Sequence, residues 1–292
     1  MFRGSMVALV TPMRDDGAVD FAALDRLVDF HLESGTHAIV AVGTTGEAST
    51  LDVDEHIGVV EAVVRRVHGR IPVIAGTGAN ATREAIDLTR RATDVGADAC
   101  LLVTPYYNKP TQEGLYQHFR AVAEATSVPI LLYNVPGRTA CDMLAKTVIR
   151  LAGIPRIVGV KEATGDIGRG AAIRAATPPG FALISGDDAS AVELAAVGAT
   201  GVISVTANVA PAQMHAVWEA VHAGALDRAR ELDRPLAGLH KNLFVESNPI
   251  PVKWALQEMG LCGGHLRLPL TPLATEKRAH VREALAQGGI LA

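Results

Sequence analysis

A chain of 292 residues that is 49% hydrophobic and 20% charged is long and apolar enough to bury one large core or two modest ones. Its net charge of −4, with no dense cluster of Lys and Arg, argues against a nucleic-acid partner. Cys100, Cys141 and Cys262 are odd in number, far apart and without a CxxC pair, so neither a disulfide framework nor a zinc site is expected.

The opening run MFRGSMVALVTPM has an apolar stretch too short for a secretory segment, and no run approaches the roughly 18 apolar residues of a membrane span. The expected location is the cytoplasm. From there short apolar runs recur: MVALVTP, THAIVAVG, IPVIAGTG, DACLLVTP, VPILLYNVP, RIVGVKEA, FALISGDD and TGVISVTAN. Each is a near-continuous Val/Ile/Leu stretch, as in strands covered on both faces. Between them lie segments such as DEHIGVVEAVVRRVHG and TREAIDLTRRATDVGAD, whose apolar residues recur every three or four positions, the period of an amphipathic helix. Gly35, Gly96 and Gly198, just before strands, fit helix C-terminal caps.

Eight strands alternating with helices predict a (β/α)8 TIM barrel over residues 1–224. An open doubly wound sheet would need a Gly-rich phosphate loop after its first strand, and VALVTPMRDDG is not one. LDRARELDRPLAGLHKNLF, PVKWALQEMGL and EKRAHVREALAQ then predict three helices, a C-terminal helical extension over residues 225–292.

Active sites of such barrels lie at the carboxyl ends of the strands. That rule selects Thr44, Thr45 and Glu47 in GTTGE, Tyr106 and Tyr107 in TPYYN, Tyr133 and Arg138 in YNVPGRT, and Lys161 after RIVGV. It also selects Gly186, Asp187 and Asp188 after the seventh strand and Ile203 and Ser204 at the eighth. Three of the four tyrosines fall in this set, which core filling does not explain. Lys161 stands where an apolar residue is expected, and burial there disfavours an ammonium. A structural lysine would pair with Glu162 or Asp166, but strand alternation turns Glu162 to the other face. Arg138 after a Pro-Gly pair would otherwise be a solvated loop charge, the tyrosines rim packing and GTTGE plain turn chemistry. Asp187 and Asp188 have no histidine nearby, so capping of the next helix is expected there and no metal. AGTGANA lacks the full dinucleotide-loop spacing, and none of the ten histidines forms HExxH.

Together these residues suit carbon–carbon bond chemistry on a keto acid without metal or cofactor. A neutral lysine attacks a ketone, and the iminium that results acidifies the adjacent carbon. Tyr133 and Tyr107, with Thr44 between them, supply a hydroxyl relay for protons. The paired threonines offer donors to one carboxylate, and Arg138 grips a second.

At these residues the chain resembles the dihydrodipicolinate synthase family of lysine biosynthesis. The strings VGTTGE, VTPYYN, LYNVPGRT, GVKEATGD, SGDDAS and GVISVTANVAP carry the likeness, which runs from ALVTPM to NPIPVKWA and LRLPLTPL. The resemblance implies a Schiff base between Lys161 and pyruvate, and a relay of Tyr133, Thr44 and Tyr107, the last reaching into a neighbouring subunit. It implies that Thr45 holds the pyruvate carboxylate, that Arg138 holds that of L-aspartate 4-semialdehyde, and that Gly186 and Ile203 contribute backbone carbonyls. A homotetramer built as a dimer of dimers is implied as well. His56, Asn80, Glu84 and Tyr106 resemble an L-lysine inhibitor site. Helix capping by Asn80 and dipole complementation by Glu84 are the structural alternative. Ala48-Ser49 and Val53 depart from the pattern of inhibited relatives and imply weaker inhibition. The wider superfamily includes N-acetylneuraminate lyases and keto-deoxy-sugar-acid aldolases; Arg138 and the double tyrosine favour the synthase, and an intact lysine and relay disfavour a non-catalytic keto-acid sensor.

Overall fold

The computed structural model describes residues 2–291. Eight parallel strands close into a barrel in chain order: β1 Gly4–Ala8, β2 Ala38–Ala41, β3 Val73–Gly76, β4 Ala99–Val103, β5 Ile130–Asn134, β6 Ile157–Glu162, β7 Ala182–Ser185 and β8 Gly201–Ser204. All eight expected strands are present, and β6 runs one residue beyond Lys161.

The strands read as continuous apolar runs because both faces are buried. Inward residues such as Met6, Val40, Ile74, Leu101, Ile184 and Ile203 form the barrel interior, and the alternate residues pack beneath the helices. Each fully buried Val, Leu or Ile contributes roughly 1.5–3 kcal/mol before chain entropy is counted. The helix Val53–Val67 shows why local sequence sufficed. Asp52 and Glu55 close a capping box, and His56, Val59, Val60, Val63 and Val67 form its buried stripe. Gly35, Gly96 and Gly198 take positive φ just past helix ends, as expected of caps.

The C-terminal extension departs from expectation. Its first segment is not one helix: Leu226–Asp233 ends in a 3-10 turn at Arg234–Leu236 and a second helix follows over Ala237–Asn242. Pro235 lacks the N–H that a continuous helix would need. Helices Ile250–Glu258 and Thr275–Gln287 form as expected. Among the described residues no helix is long and apolar enough to cross a membrane.

Candidate active site

Register brings the central pair together. Tyr133 of β5 and Lys161 of β6 are lateral partners, so both side chains point into the barrel. Lys161 Nζ lies 4.3 Å from the centroid of the Tyr133 ring. Their successors Asn134 and Glu162 are also partners and face outward, where Asn134 Nδ2 donates to Glu162 Oε2 at 3.2 Å. Alternation thus removes Glu162 from Lys161. Burial raises the pKa of Glu162, against hydrogen bonds from Thr164 and Asn134 that oppose the shift. Lys161 is 6% exposed and has neither a hydrogen bond nor an ion pair among the described residues.

A cavity of about 120 Å3 lies over Lys161, with Thr44, Thr45, Tyr133, Arg138 and Gly186 in its wall. Ile203 packs in the barrel interior below, and Val205 takes the wall position on that side. Gly186 is there by necessity: a Cβ on it would stand 2.6 Å from Ala163 Cβ and 2.9 Å from Lys161 Cε. Arg138 belongs to a short helical turn, Pro136–Thr139, and is exposed, with Nη2 donating to the Asn248 carbonyl at 3.3 Å. Neither the Thr44 nor the Tyr133 hydroxyl is hydrogen-bonded among the described residues, and both are open to a ligand.

Tyr107 is not in this group. It is 88% exposed and held at φ +75°, in the left-handed region. Val42, Glu47, Lys109 and Ala140, also in loops after strands, share positive φ. Such strain costs of order 1–3 kcal/mol per residue and gathers at functional sites.

A larger cavity of about 300 Å3 shares Thr44, Tyr133 and Arg138 and extends to His56, Glu84 and Tyr106. His56 Nε2 donates to the Gly76 carbonyl at 2.7 Å, and burial lowers its pKa. Burial, with Glu84 nearby, raises that of the Tyr106 phenol. Asn80 does not cap the helix Thr82–Asp94; its Nδ2 donates to the Tyr106 carbonyl at 3.3 Å instead. Ala48, Ser49 and Val53 line this cavity.

Asp187 accepts from Ser190 N at 3.1 Å, at the entry to the helix Ala191–Ala196. Asp188 does something else: its Oδ2 accepts from Val205 N at 2.9 Å and Thr206 N at 3.0 Å, fixing the chain after β8. Among the described residues one group, His37, Glu219 and His222, gathers three metal-capable side chains, at the amino end of the barrel. His37 Nδ1 accepts from Ser5 N at 3.3 Å, so Nε2 carries the hydrogen and points it at Glu219 Oε1. That tautomer offers no lone pair to a cation in the group.

Three participants escaped sequence reading: Phe244, Asn248 and Lys253. Phe244 and Asn248 line the cavity over Lys161. Lys253 Nζ donates to Glu47 Oε1 at 2.5 Å and to the His265 carbonyl at 2.8 Å, tying the extension to the GTTGE turn. The short runs around them carry only helical periodicity, which gives no sign of partners some 200 positions away.

The model of the dihydrodipicolinate synthetase family matches residues 1–288. A 4-hydroxy-tetrahydrodipicolinate synthase of Methylococcus capsulatus is 63% identical over 291 residues, with 100% of both chains covered. Among solved structures, a chloride-inhibited dihydrodipicolinate synthase from Acinetobacter baumannii complexed with pyruvate is similar at 57% identity and a TM-score of 0.98, covering 100% of both chains. A dihydrodipicolinate synthase from Cyanidioschyzon merolae with lysine bound is 41% identical, with a TM-score of 0.96 and 99% of each chain covered. Alike in sequence and fold over its whole length, the chain is an enzyme and belongs to the dihydrodipicolinate synthetase family.

Proposed function

We propose that this enzyme condenses pyruvate with L-aspartate 4-semialdehyde through a Schiff base on Lys161, forming 4-hydroxy-tetrahydrodipicolinate in lysine and diaminopimelate biosynthesis. The observation that carries the reading is a buried lysine without a partner among the described residues, facing a cavity whose wall holds Thr44, Thr45, Tyr133 and Arg138. In its amine form Lys161 attacks the pyruvate ketone, and the leaving hydroxyl takes a proton from the Tyr133–Thr44 side. The iminium then loses a methyl proton to the relay oxygen left deprotonated, the enamine carbon attacks the aldehyde, and the aldehyde oxygen takes that proton. The semialdehyde's own amine finally adds to the imine carbon and displaces Lys161, which closes the ring and frees the lysine. Thr45 holds the first carboxylate and Arg138 the second. Backbone carbonyls of Gly186 and Ile203 accept from the hydroxyls formed on the carbinolamine and on the addition product. On this reading residues 1–224 are the catalytic barrel, and residues 225–292 complete its wall.

Incubation with pyruvate followed by borohydride should leave one adduct per chain on Lys161. Turnover should occur with pyruvate and L-aspartate 4-semialdehyde and not with pyruvate and N-acetylmannosamine. Turnover with the sugar alone would make the enzyme a superfamily aldolase instead.

The proposal extends to assembly, regulation and location. An aromatic side chain that is 88% exposed on strained backbone suits Tyr107 to a neighbouring subunit's site in a cytoplasmic homotetramer. Mixing Tyr107→Phe and Lys161→Ala subunits should then restore activity; no recovery after proven exchange returns Tyr107 to its own chain. The lysine-bound relative and the continuity of the larger cavity from Glu84 to Tyr133 support L-lysine as an inhibitor. Because Val53 and Ala48 offer it no polar contact, inhibition should be partial and should vanish in Glu84→Thr. Full activity at tens of millimolar lysine would refute it.

A further inference from the structure

Asn248 lies between the helices Ala237–Asn242 and Ile250–Glu258, outside the barrel, and no step above uses it. It is 5% exposed and borders the cavity over Lys161. Its Nδ2 donates to Thr45 Oγ1 at 2.9 Å, and its main-chain carbonyl accepts from Arg138 Nη2 at 3.3 Å. The amide oxygen, Oδ1, is buried without a hydrogen-bond partner among the described residues. The same turn is held a second time, by Lys253 on Glu47.

A buried amide with an unpaired oxygen carries a desolvation penalty that an apolar residue would avoid. What the amide supplies in return is a fixed donor to one hydroxyl. A threonine hydroxyl has a single hydrogen and two acceptor positions. With one acceptor position filled by Asn248, the Thr45 hydrogen remains free to point at an anion in the cavity. An acceptor in place of Nδ2 would take that hydrogen and leave Thr45 showing lone pairs to a carboxylate.

We propose that Asn248 is a positioning residue for the keto-acid carboxylate, setting the hydrogen-bond polarity of Thr45 so that its hydroxyl donates into the cavity. Through its main-chain carbonyl it also ties Arg138 to the same wall. The inference rests on the pyruvate reading above and concerns how tightly pyruvate is held before the amine reacts.

The test is borohydride trapping on the full chain across pyruvate concentrations, with each variant compared to the wild type at each pH. At about pH 8, Asn248→Asp places an acceptor-only carboxylate against Thr45 and a negative charge beside the incoming anion. Half-saturation should rise at least roughly 30-fold. On acidification through the pKa of the new carboxyl the protonated group donates again, and the gap should close to within about fivefold. Asn248→Ala, which removes the donor without adding charge, should show a rise of about tenfold that does not vary with pH. A merely structural role would give loss at every pH and no recovery. Wild-type half-saturation in Asn248→Asp near pH 8 overturns the proposal, as does a loss that acid does not reverse. Should Asn248→Asp fail to fold, unchanged half-saturation in Asn248→Ala overturns it. Absence of any adduct in the wild type would instead refute the pyruvate reading, and this proposal with it.

Discussion

Lys253 and Lys161 are both buried, and their surroundings are opposite. Lys253 is 0% exposed, and its ammonium is met by Glu47 and the carbonyl of His265. Burial lowers its pKa, and Glu47 pulls it back. Lys161 at 6% exposure meets the face of Tyr133 and an open cavity, and makes no ion pair among the described residues. Removing an ion from water costs several kcal/mol, so a buried charge needs compensation. Around Lys253 the compensation is built in, and the residue clamps the extension to the barrel. Lys161 lacks such a pair among the described residues and ends at the cavity instead.

Removing each lysine should break the molecule in a different way. Lys161→Met should lower turnover by something on the order of 10^4-fold or more while leaving the denaturant midpoint unchanged or raised. Destabilisation by more than about 2 kcal/mol would make Lys161 a structural residue too and end the contrast. Lys253→Met should show the reverse. Stability falls by about 3–5 kcal/mol because Glu47 is left charged and buried, yet saturating pyruvate still gives one adduct per chain. Adding Glu47→Gln should recover most of the loss, read by chemical denaturation; failure to recover would mean that the pair acts through shape and not charge.

Gly186→Ala sharpens the contrast by crowding Lys161 and Ala163 while leaving Lys253 untouched. The added methyl would sit 2.9 Å from Cε of the lysine, and a displacement near 1 Å costs on the order of 10^2-fold in rate. The Lys253–Glu47 pair should be unaffected and stability should fall by about 1–3 kcal/mol through the contact with Ala163; a near-normal rate would show that Lys161 tolerates the shift. The smallest effect belongs to Glu162. Its folded pKa lies above the unfolded value, so ionisation penalises the native state at neutral pH, and the penalty fades as pH falls through the folded pKa toward about 4.5. Glu162→Gln should therefore gain on the wild type in stability at pH 7 and lose that advantage in acid, with adduct formation intact. A lost adduct would reveal a coupling to Lys161 that alternation excludes.

Much of the site was legible because strand periodicity is local. Lys161 follows an apolar run, so it had to end a strand, and period two then placed Glu162 on the other face. Thr44, Tyr133 and Arg138 were found by the same rule and do share one cavity. Tyr107 passed the rule as well and stands exposed at positive φ; the likeness to the family sets it apart from its own chain's cavity, and φ itself is not readable from TPYYN. Asn80 was open to a capping reading, and a carbonyl on a different loop claimed its amide. The break at Pro235 was visible in the sequence, but helical periodicity on both sides masked it.

Alone, the sequence determined the strand count, the closed α/β architecture and the place of Lys161 at a strand end, because these depend on patterns within a few residues. Only the tertiary structure decided which lysine meets a carboxylate, which amide donates to Thr45 and which tyrosine stands exposed. Asn248 meets Thr45 across 203 positions and Lys253 meets Glu47 across 206. Contacts at that separation are set by the closure of the barrel and the return of the extension over it, and no local period encodes them.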